Sequence, residues 1–281
     1  MALPRLTRAQ VPLTQAVRVR DETGAEREIH IPAERPLTLF VDRRELVTLM
    51  TLGAEPELLV LGWLRNQRML SGPAEVHSVT VDWEVGAAAV RTHHGIEALD
   101  QRTERRTVTT GCGQGTVYGD LMAQLDDIEL PPPEHARIGQ ATLRAMLERI
   151  RVQDSVYRRA GSVHGCALFQ GAEMLFHIED VGRHNAIDTL AGWMWMRGVA
   201  GGDKSLYTTG RLTSEMILKA AQMGVPIVVS RNGITQMGHA LATQLGVTLF
   251  GRAANRHFLC YTGFERFDAE PSVIKADAPS G

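Results

Sequence analysis

The chain has 281 residues, which is enough for one large domain or two of ordinary size. Its composition, 44% hydrophobic and 22% charged, is typical of a soluble globular protein. The 30 Lys and Arg residues nearly balance the 32 Asp and Glu residues, so no overall charge attracts nucleic acid or a membrane surface. No apolar run could span a bilayer, and the polar start, 1–8, lacks a signal-peptide core. We therefore expect a cytoplasmic protein with no nucleic-acid or membrane partner.

The first 108 residues predict a β-rich domain with one helix. Predicted strands lie at 16–20, 26–31, 36–41, 76–81 and 85–92. The first two of these flank a turn and therefore predict a hairpin, whereas 45–52 is ambiguous. Pro56 suits the first position of a helix, which the spacing of the apolar residues extends to about Leu70.

The pattern changes after three consecutive prolines, 131–133, so we interpret 109–133 as a loop and linker. Short apolar stretches then alternate with amphipathic ones. Strands are predicted at 167–169, 174–178, 205–209, 227–229 and 248–250, with an edge strand at 258–262. Helices are predicted at 141–151, 185–196, 212–223 and 236–245. This alternation predicts an α/β domain over 134–268, and the tail, 269–281, is expected to be disordered.

One cysteine, Cys112, lies among three glycines in the segment 109–116. Glycines let other molecules approach the backbone, and an exposed thiol beside free N–H groups can be reactive. The alternative is a tight turn with a small, buried cysteine. The other cysteines, Cys166 and Cys260, lie in apolar strand contexts and are predicted to be packing residues. An odd number of cysteines without a close pair argues against disulfides and a cysteine-built zinc site, so we expect no structural metal.

An arginine follows the end of each of four predicted strands: Arg183, Arg211, Arg231 and Arg252. Ligands of open α/β sheets bind beyond the carboxyl ends of the strands. Arginine binds phosphate through paired, charge-assisted hydrogen bonds, and helix N-termini after two of these arginines would add donors. The pattern therefore predicts that the four arginines converge on a phosphate or nucleotide site. The alternative is that they only end the strands and extend into solvent.

Three other polar residues near these strand ends allow two interpretations each. Glu179 and Asp180 could form a general-base pair, or they could orient backbone donors or pair with an arginine. His164 could ligate a metal, or it could be a hydrogen-bonded core or rim histidine.

The same segments carry a resemblance to a known family. Residues 179–188, EDVGRHNAID, resemble the signature of the formate dehydrogenase accessory sulfurtransferases, the FdhD family, and so do residues 159–169, RAGSVHGCALF. The match continues in order through 210–211, 214–216, 219–221, 224–226 and 245–249, with looser similarity at 34–38 and 59–64. The resemblance covers about residues 15–266.

The resemblance implies a cytidine-deaminase-like, three-layer α/β domain with helices on both faces of a mixed sheet, beside a smaller β-rich domain. It implies no deaminase activity, because the zinc signature of deaminases is absent. It implies a sulfurtransferase that moves persulfide sulfur from a cysteine desulfurase to the molybdenum bis-guanine-dinucleotide cofactor of formate dehydrogenase, whose activity requires this step. The catalytic subunit of that enzyme would be a partner, and a homodimer is expected.

The resemblance also assigns site residues. By position, Cys112 matches the cysteine that carries the sulfur. The cofactor, bound as a substrate, would contact Phe250, Gly251, Arg252, Ala253, Ala254 and Asn255, which match the family's cofactor-binding segment. The arginine pattern adds Arg183, His184, Gly210 and Arg211.

The sequence departs from the family at one position, because the loop usually carries C-x-x-C and Gly115 occupies the second cysteine's place. One thiolate suffices for a persulfide relay, but a partner that could release the sulfur by forming a disulfide is lost. Two hypotheses follow. The chain is either a single-cysteine sulfur carrier or a non-catalytic chaperone of the molybdenum cofactor that has lost sulfur transfer.

Overall fold

The computed structural model of the chain describes residues 3–96 and 125–270. Cys112, Gly115 and the rest of 109–124, within the predicted loop and linker 109–133, lie outside the described residues, as do 271–281 of the predicted disordered tail 269–281. The predicted linker boundaries therefore stay predictions. None of the helices in the described ranges is long and apolar enough to cross a membrane.

The N-terminal domain is built on a five-stranded mixed sheet. Its elements are β1 (Arg5–Leu6), β2 (Thr14–Arg20), β3 (Glu26–Pro32), β4 (Arg35–Val41), β5 (Arg44–Thr51), α1 (Pro56–Asn66), β6 (Val76–Asp82) and β7 (Ala87–Thr92). The sheet has the order β1-β6-β7-β4-β5, and β2 and β3 form the predicted hairpin apart from it. The ambiguous stretch 45–52 belongs to strand β5. Helix α1 ends before Leu70 because Arg68 takes a left-handed conformation with φ 52°.

The second domain contains the predicted alternation of strands and helices. Its elements are β8 (Ile138–Gly139), α2 (Gln140–Val152), α3 (Val156–Ala160), β9 (His164–Gln170), β10 (Glu173–Asp180), α4 (Arg183–Arg197), β11 (Ser205–Thr208), α5 (Ser214–Gln222), β12 (Ile227–Ser230), α6 (Gln236–Leu245), β13 (Thr248–Ala254), β14 (His257–Thr262) and β15 (Phe267–Asp268). The main sheet has the order β10-β9-β11-β12-β13-β14, with β14 at the predicted edge. Strands β11, β12 and β13 are parallel, and β9 and β14 are antiparallel to their neighbours.

Helices cover both faces of this mixed sheet, as predicted. Successive side chains of a strand point to opposite faces. Leu206 of β11 therefore belongs to the core beneath α4, α5 and α6, whereas the next residue, Tyr207, packs in a second core with Met146 of α2. The α/β fold class is confirmed, and the deaminase-like name for it stays a prediction.

The two domains meet where α1 crosses α4. A Cβ atom on Gly62 would lie 1.6 Å from the carbonyl oxygen of Asp188, and one on Gly192 would lie 1.9 Å from that of Leu58. Only glycine permits two helix backbones to approach so closely. Because α4 starts at the carboxyl-end edge of the main sheet, the crossing fixes the N-terminal domain relative to that edge.

Candidate functional site

Three strands of the main sheet end at one edge, and an arginine follows each end. Strand β9 is antiparallel to both β10 and β11, so β10, β11 and β12 run in the same direction. Arg183, Arg211 and Arg231 come after these ends. Arg252 is exposed within β13, and its backbone N–H donates to the carbonyl of Asn232 at 2.9 Å. The predicted register of the strand ends is therefore confirmed for three arginines, whereas the fourth lies inside a longer strand.

A cavity of about 280 Å³ opens at this edge, on the side of α2 and α3. Its lining includes Arg151, Tyr157, Arg158, Tyr207, Thr209 and Arg231, together with Ala253, Ala254 and Asn255 of the predicted segment. We call it the strand-end cavity. The guanidinium carbon of Arg231 lies 5.8 Å from the centre of the Tyr157 ring, a cation–π arrangement. The cavity thus combines an aromatic face with guanidinium groups, a combination that suits a planar ring with phosphate oxygens, and the Glu179 side chain lines it as well.

The two carboxylates at the end of β10 orient backbone and side-chain donors. Glu179 accepts hydrogen bonds from the N–H groups of Val156 (2.5 Å) and Tyr157 (3.3 Å), which fixes the start of α3 beside the cavity. Burial raises the pKa of Glu179. Asp180 accepts from Thr51 Oγ1 at 2.5 Å and from three further donors: Leu52 N, Gly182 N and Asn185 Nδ2. These contacts confirm the donor-orienting interpretation of both residues.

Arg183 and Arg211 both lie near His164, and neither lines the strand-end cavity. A Cβ atom on Gly210 would lie 3.0 Å from both Cβ and Cδ of Arg183, so that side chain packs directly on the glycine. His164 begins β9 at the same edge, and its pKa is lowered by burial and then by the charges of Arg183 and Arg211. The four arginines therefore do not converge on one site: Arg183 and Arg211 lie near His164, Arg231 lines the strand-end cavity, and Arg252 is exposed within β13.

His184, next to Arg183 in the chain, is buried. It is 1% exposed, and burial, followed by the charges of Lys219 and Arg183, lowers its pKa to about 2. Its ring therefore stays neutral at physiological pH. Neither His184 nor Gly210 lines the strand-end cavity.

The predicted cofactor-binding segment is only partly available to a ligand. The Phe250 side chain is fully buried and packs edge-on against Phe258 and Phe267, with ring centres 5.6 and 5.2 Å away. Gly251 is buried against the Tyr261 ring, where a Cβ atom would lie 2.8 Å from Cε2. The later residues, 253–255, reach the cavity. Any contact made by Phe250 must therefore come from its backbone.

Sequence reasoning missed the residues that α3 and its flanks bring to the cavity. Tyr157 and Arg158 are on this five-residue helix, which the periodicity of the sequence does not reveal. A local signal did exist, since the Ser155 hydroxyl accepts from the Arg158 N–H at 3.2 Å and so caps the helix.

The two cysteines in the described part of the chain are packing residues, as predicted. Cys166 is fully buried, and burial raises its pKa to about 12. Cys260 is half-buried, and burial raises its pKa to about 11. Neither forms a ready thiolate near neutral pH. Among the described residues, no cluster of three or more His, Cys, Asp and Glu side chains could hold a metal ion.

Comparison with known proteins bears on the resemblance noted above. The sequence model of the FdhD/NarQ family matches residues 32–268. The chain belongs to the FdhD/NarQ family. It is 29% identical over 249 residues to the "Sulfur carrier protein FdhD" of Listeria innocua, covering 88% of this chain and 95% of that one. It is 30% identical over 240 residues to the protein of that name in Bacillus subtilis, covering 85% and 90%.

A solved structure extends the similarity to three dimensions. It is a putative formate dehydrogenase accessory protein from Desulfotalea psychrophila, 25% identical, with a TM-score of 0.72. The match covers 91% of this chain and all of that one. The predicted family and the α/β fold are therefore confirmed together.

Proposed function

We propose that this chain is a cytoplasmic sulfur carrier that serves the maturation of a formate dehydrogenase. The observation that carries the proposal is the family match over residues 32–268. The relatives named sulfur carriers align with this chain over most of their length. The proposed partners are a cysteine desulfurase, which donates the sulfur, and the catalytic subunit of the formate dehydrogenase. A homodimer is the expected assembly.

The proposed substrate is the molybdenum bis-guanine-dinucleotide cofactor, which presents planar rings and phosphates. The strand-end cavity suits one nucleotide end, because Tyr157 offers a ring face and Arg231 and Arg158 offer guanidinium donors. Residues 253–255, at the end of β13, would approach the ligand through backbone and small side chains. The arginines around His164 support binding of a second anionic part of the same substrate.

The proposed chemistry begins with the Cys112 thiolate. It attacks the outer sulfur of the desulfurase persulfide, so that a Cys112 persulfide forms and the desulfurase cysteine leaves as a thiolate. Release of the carried sulfur as sulfide takes two electrons. With Gly115 in place of a second cysteine, we assign those electrons to an external thiol, which forms a mixed disulfide with Cys112 as the sulfide leaves.

Mass spectrometry tests the proposal after incubation of the protein with a desulfurase and cysteine. We expect one added sulfur on the wild type and on Cys260→Ser, the matched control, and none on Cys112→Ser. Formate dehydrogenase matured with Cys112→Ser should be inactive. Full activity with that variant, or no added sulfur on the wild type, would show that Cys112 does not carry sulfur.

Gly115 favours the second hypothesis, a molybdenum-cofactor chaperone without sulfur transfer, because the thiol that would complete C-x-x-C is missing. The variant Gly115→Cys separates the two hypotheses. If the protein is a sulfur carrier, the wild type should need added thiol to release sulfide, and the Gly115→Cys variant should need less thiol. If the protein is a chaperone, the wild type and the Cys112→Ser variant should bind guanine nucleotide equally well, and neither should form a persulfide.

A further inference from the structure

A second cavity, of about 330 Å³, lies where helices α1, α4 and α5 end. Its lining includes Arg65 of α1, Trp195 of α4 and Gln222 of α5. Helix α4 begins at the strand-end edge of the main sheet and has 15 residues, which corresponds to about 22 Å of helix. Because Trp195 is in the last turn of α4, this second cavity lies at the opposite edge of the sheet from the strand-end cavity.

The guanidinium group of Arg65 lines the second cavity. Its carbon lies 5.5 Å from the centre of the Trp195 ring, and its Nη1 donates to the carbonyl of Ala191 at 3.0 Å. Burial lowers the pKa of Arg65 to about 10, and no carboxylate in the described ranges raises it. A charge held away from water is costly unless an opposite charge compensates it. The remaining N–H groups of Arg65 are therefore suited to an anionic group that enters the cavity.

The carboxylates that line the second cavity do not compensate Arg65. Asp127 lies 3.8 Å from Nη1 of Arg68, so it offsets that second guanidinium group. Glu129 is exposed to solvent, where ion pairs contribute little. Among the described residues, Arg65 thus has no acidic partner, which favours an acidic group from another molecule.

An apolar groove of about 630 Å³ adjoins the second cavity, and Trp195 lines both. Apolar side chains from the N-terminal domain and from the end of α4 line the groove: Leu3, Pro73, Ala74, Met196 and Val199. Leu3 is 54% exposed, and the exposed Arg197 lines the groove as well. Exposed apolar grooves mark interaction sites, and tryptophan and arginine in pockets carry much of the binding energy of protein interfaces.

We propose that the second cavity and the groove, together called the junction surface, bind a segment of the sulfur donor that carries apolar side chains and a carboxylate. The apolar side chains would fill the groove against Trp195. The carboxylate would accept paired hydrogen bonds from Arg65, and Arg197 would attract the same acidic segment through its charge.

Two features favour the sulfur donor as the partner. The strand-end cavity, proposed for the substrate, lies at the opposite edge of the sheet, so a donor on the junction surface would not compete with the substrate. Both flanks of the connection that contains Cys112 also lie at this surface. The described chain resumes just before Asp127, which lines the second cavity, and on the other flank the N–H of His93 donates to the carbonyl of Glu75 at 2.9 Å, next to Ala74 of the groove.

The inference rests on the proposed function for the identity of the donor, a cysteine desulfurase. Its binding to the full chain is measured by biolayer interferometry without cysteine. We expect the wild type to bind, and Leu3→Asp and Arg197→Glu each to weaken binding about tenfold, because each sets a carboxylate against the acidic segment. The matched controls are Val85→Asp, at a position that is 73% exposed outside the groove, and Arg149→Glu on α2, and both should bind as the wild type does.

Arg65 is tested separately because it also lies in the last turn of α1, where a cation offsets the negative end of the helix. If Arg65 binds the donor, Arg65→Gln should weaken desulfurase binding about tenfold or more. Arg65→Lys should weaken it as well, because lysine keeps the charge but lacks the paired donors. If Arg65 only stabilises the helix end, Arg65→Gln should lower the midpoint of thermal unfolding and leave the affinity unchanged, which would overturn the inference.

Persulfide formation on Cys112 separates failure of the junction surface from failure of the proposed function. In Leu3→Asp and Arg197→Glu its rate should fall at low desulfurase concentration and recover at saturation. No persulfide on the wild type at any concentration would instead refute the proposed function. No desulfurase binding by the wild type, or wild-type affinity in both variants, would overturn the inference. So would conversion of a dimer to a monomer by Leu3→Asp, in ultracentrifugation, without loss of desulfurase affinity, because the groove would then bind a second copy.

Discussion

At the scale of single residues, burial decides what the titratable groups near the basic edge can do. Desolvation keeps His184 neutral and keeps Cys166 a thiol, and it raises the pKa of Glu179. Neither His184 nor Cys166 therefore changes its protonation state near pH 7. The reactivity of Cys112, which lies outside the described residues, stays a prediction from the sequence.

The neutral state of His184 predicts a pH dependence of stability. In the unfolded chain the ring takes up a proton below about pH 6.5, whereas the folded ring, with a pKa of about 2, does not. The unfolded state binds more protons in this window, so stability falls as the pH drops, by about 2 kcal/mol at pH 5 from this residue. Urea unfolding at pH 7 and pH 5 measures the loss, in a phosphate-free buffer so that no anion stabilises the fold.

The variant His184→Asn should lose less stability between pH 7 and pH 5 than the wild type does. His94→Asn, at an exposed position, is the matched control and should keep the wild-type dependence. An unchanged slope in His184→Asn would contradict the assignment of the effect to this ring.

Asp180 carries a second prediction at this scale. Its carboxylate accepts from Thr51, Leu52, Gly182 and Asn185, and it is 1% exposed. In Asp180→Asn an amide NH₂ would face these donors, leaving at least one buried group unsatisfied at a cost of about 1–3 kcal/mol. The midpoint of urea unfolding measures the effect. Asp154→Asn, a change outside this network, should not change the midpoint of urea unfolding. If Asp180→Asn also had the wild-type midpoint, the Asp180 carboxylate would not stabilise the fold through these hydrogen bonds.

At the scale of elements, the regular strands and helices of the second domain follow from local signals. Gly198 and Gly246 end α4 and α6 in the left-handed conformation, and the strands between the helices are short apolar runs. These signals suffice to predict the order of the elements and the shared edge of the strand ends. The periodicity does not predict helix α3, which is only five residues long; Ser155 is a local signal for its start, but Glu179, more than 20 residues away, accepts from its first N–H groups.

The division of the basic edge could not be predicted either, for a related reason. Strand order places the arginines at one edge, but packing decides to which side each guanidinium turns. Arg183 packs on Gly210, whereas Arg231 packs on the ring of Tyr157. Tyr157 belongs to helix α3, which the periodicity of the sequence does not predict. Periodicity specifies faces of elements, whereas the site depends on contacts between residues distant in the chain.

The crossing of α1 and α4 gives a prediction at the scale of elements. In Gly192→Ala the new methyl group would meet the carbonyl of Leu58 at 1.9 Å, so the helices must move apart. Overpacking of this kind costs about 1–3 kcal/mol, and occasionally more. Urea unfolding should show that loss. In the control Gly72→Ala the methyl group would meet no atom within 4 Å, so a similar loss there would remove the crossing as the cause.

At the scale of the whole molecule, buried polar contacts join the two domains at the crossing. Asn66 of α1 donates to Asp188 Oδ1 at 2.6 Å, and Lys219 of α5 donates to the other oxygen of the same carboxylate. Asp188 and Lys219 are 0% and 2% exposed. Removing one member of such a pair leaves a buried charge without compensation. The stability of the N-terminal domain is therefore tied to that of the α/β domain.

This linkage predicts one cooperative unfolding transition for the chain. Trp63 reports on the N-terminal core, whereas far-ultraviolet circular dichroism is dominated by helices of the α/β domain. With Trp83, Trp193 and Trp195 replaced by Phe, the fluorescence of Trp63 and the dichroism should give coincident urea transitions. Adding Lys219→Met should lower the free energy of unfolding by about 3–5 kcal/mol, so both urea midpoints should fall together. Separate transitions before that change would mean that the domains unfold independently, and the contacts around Asp188 would then not couple them.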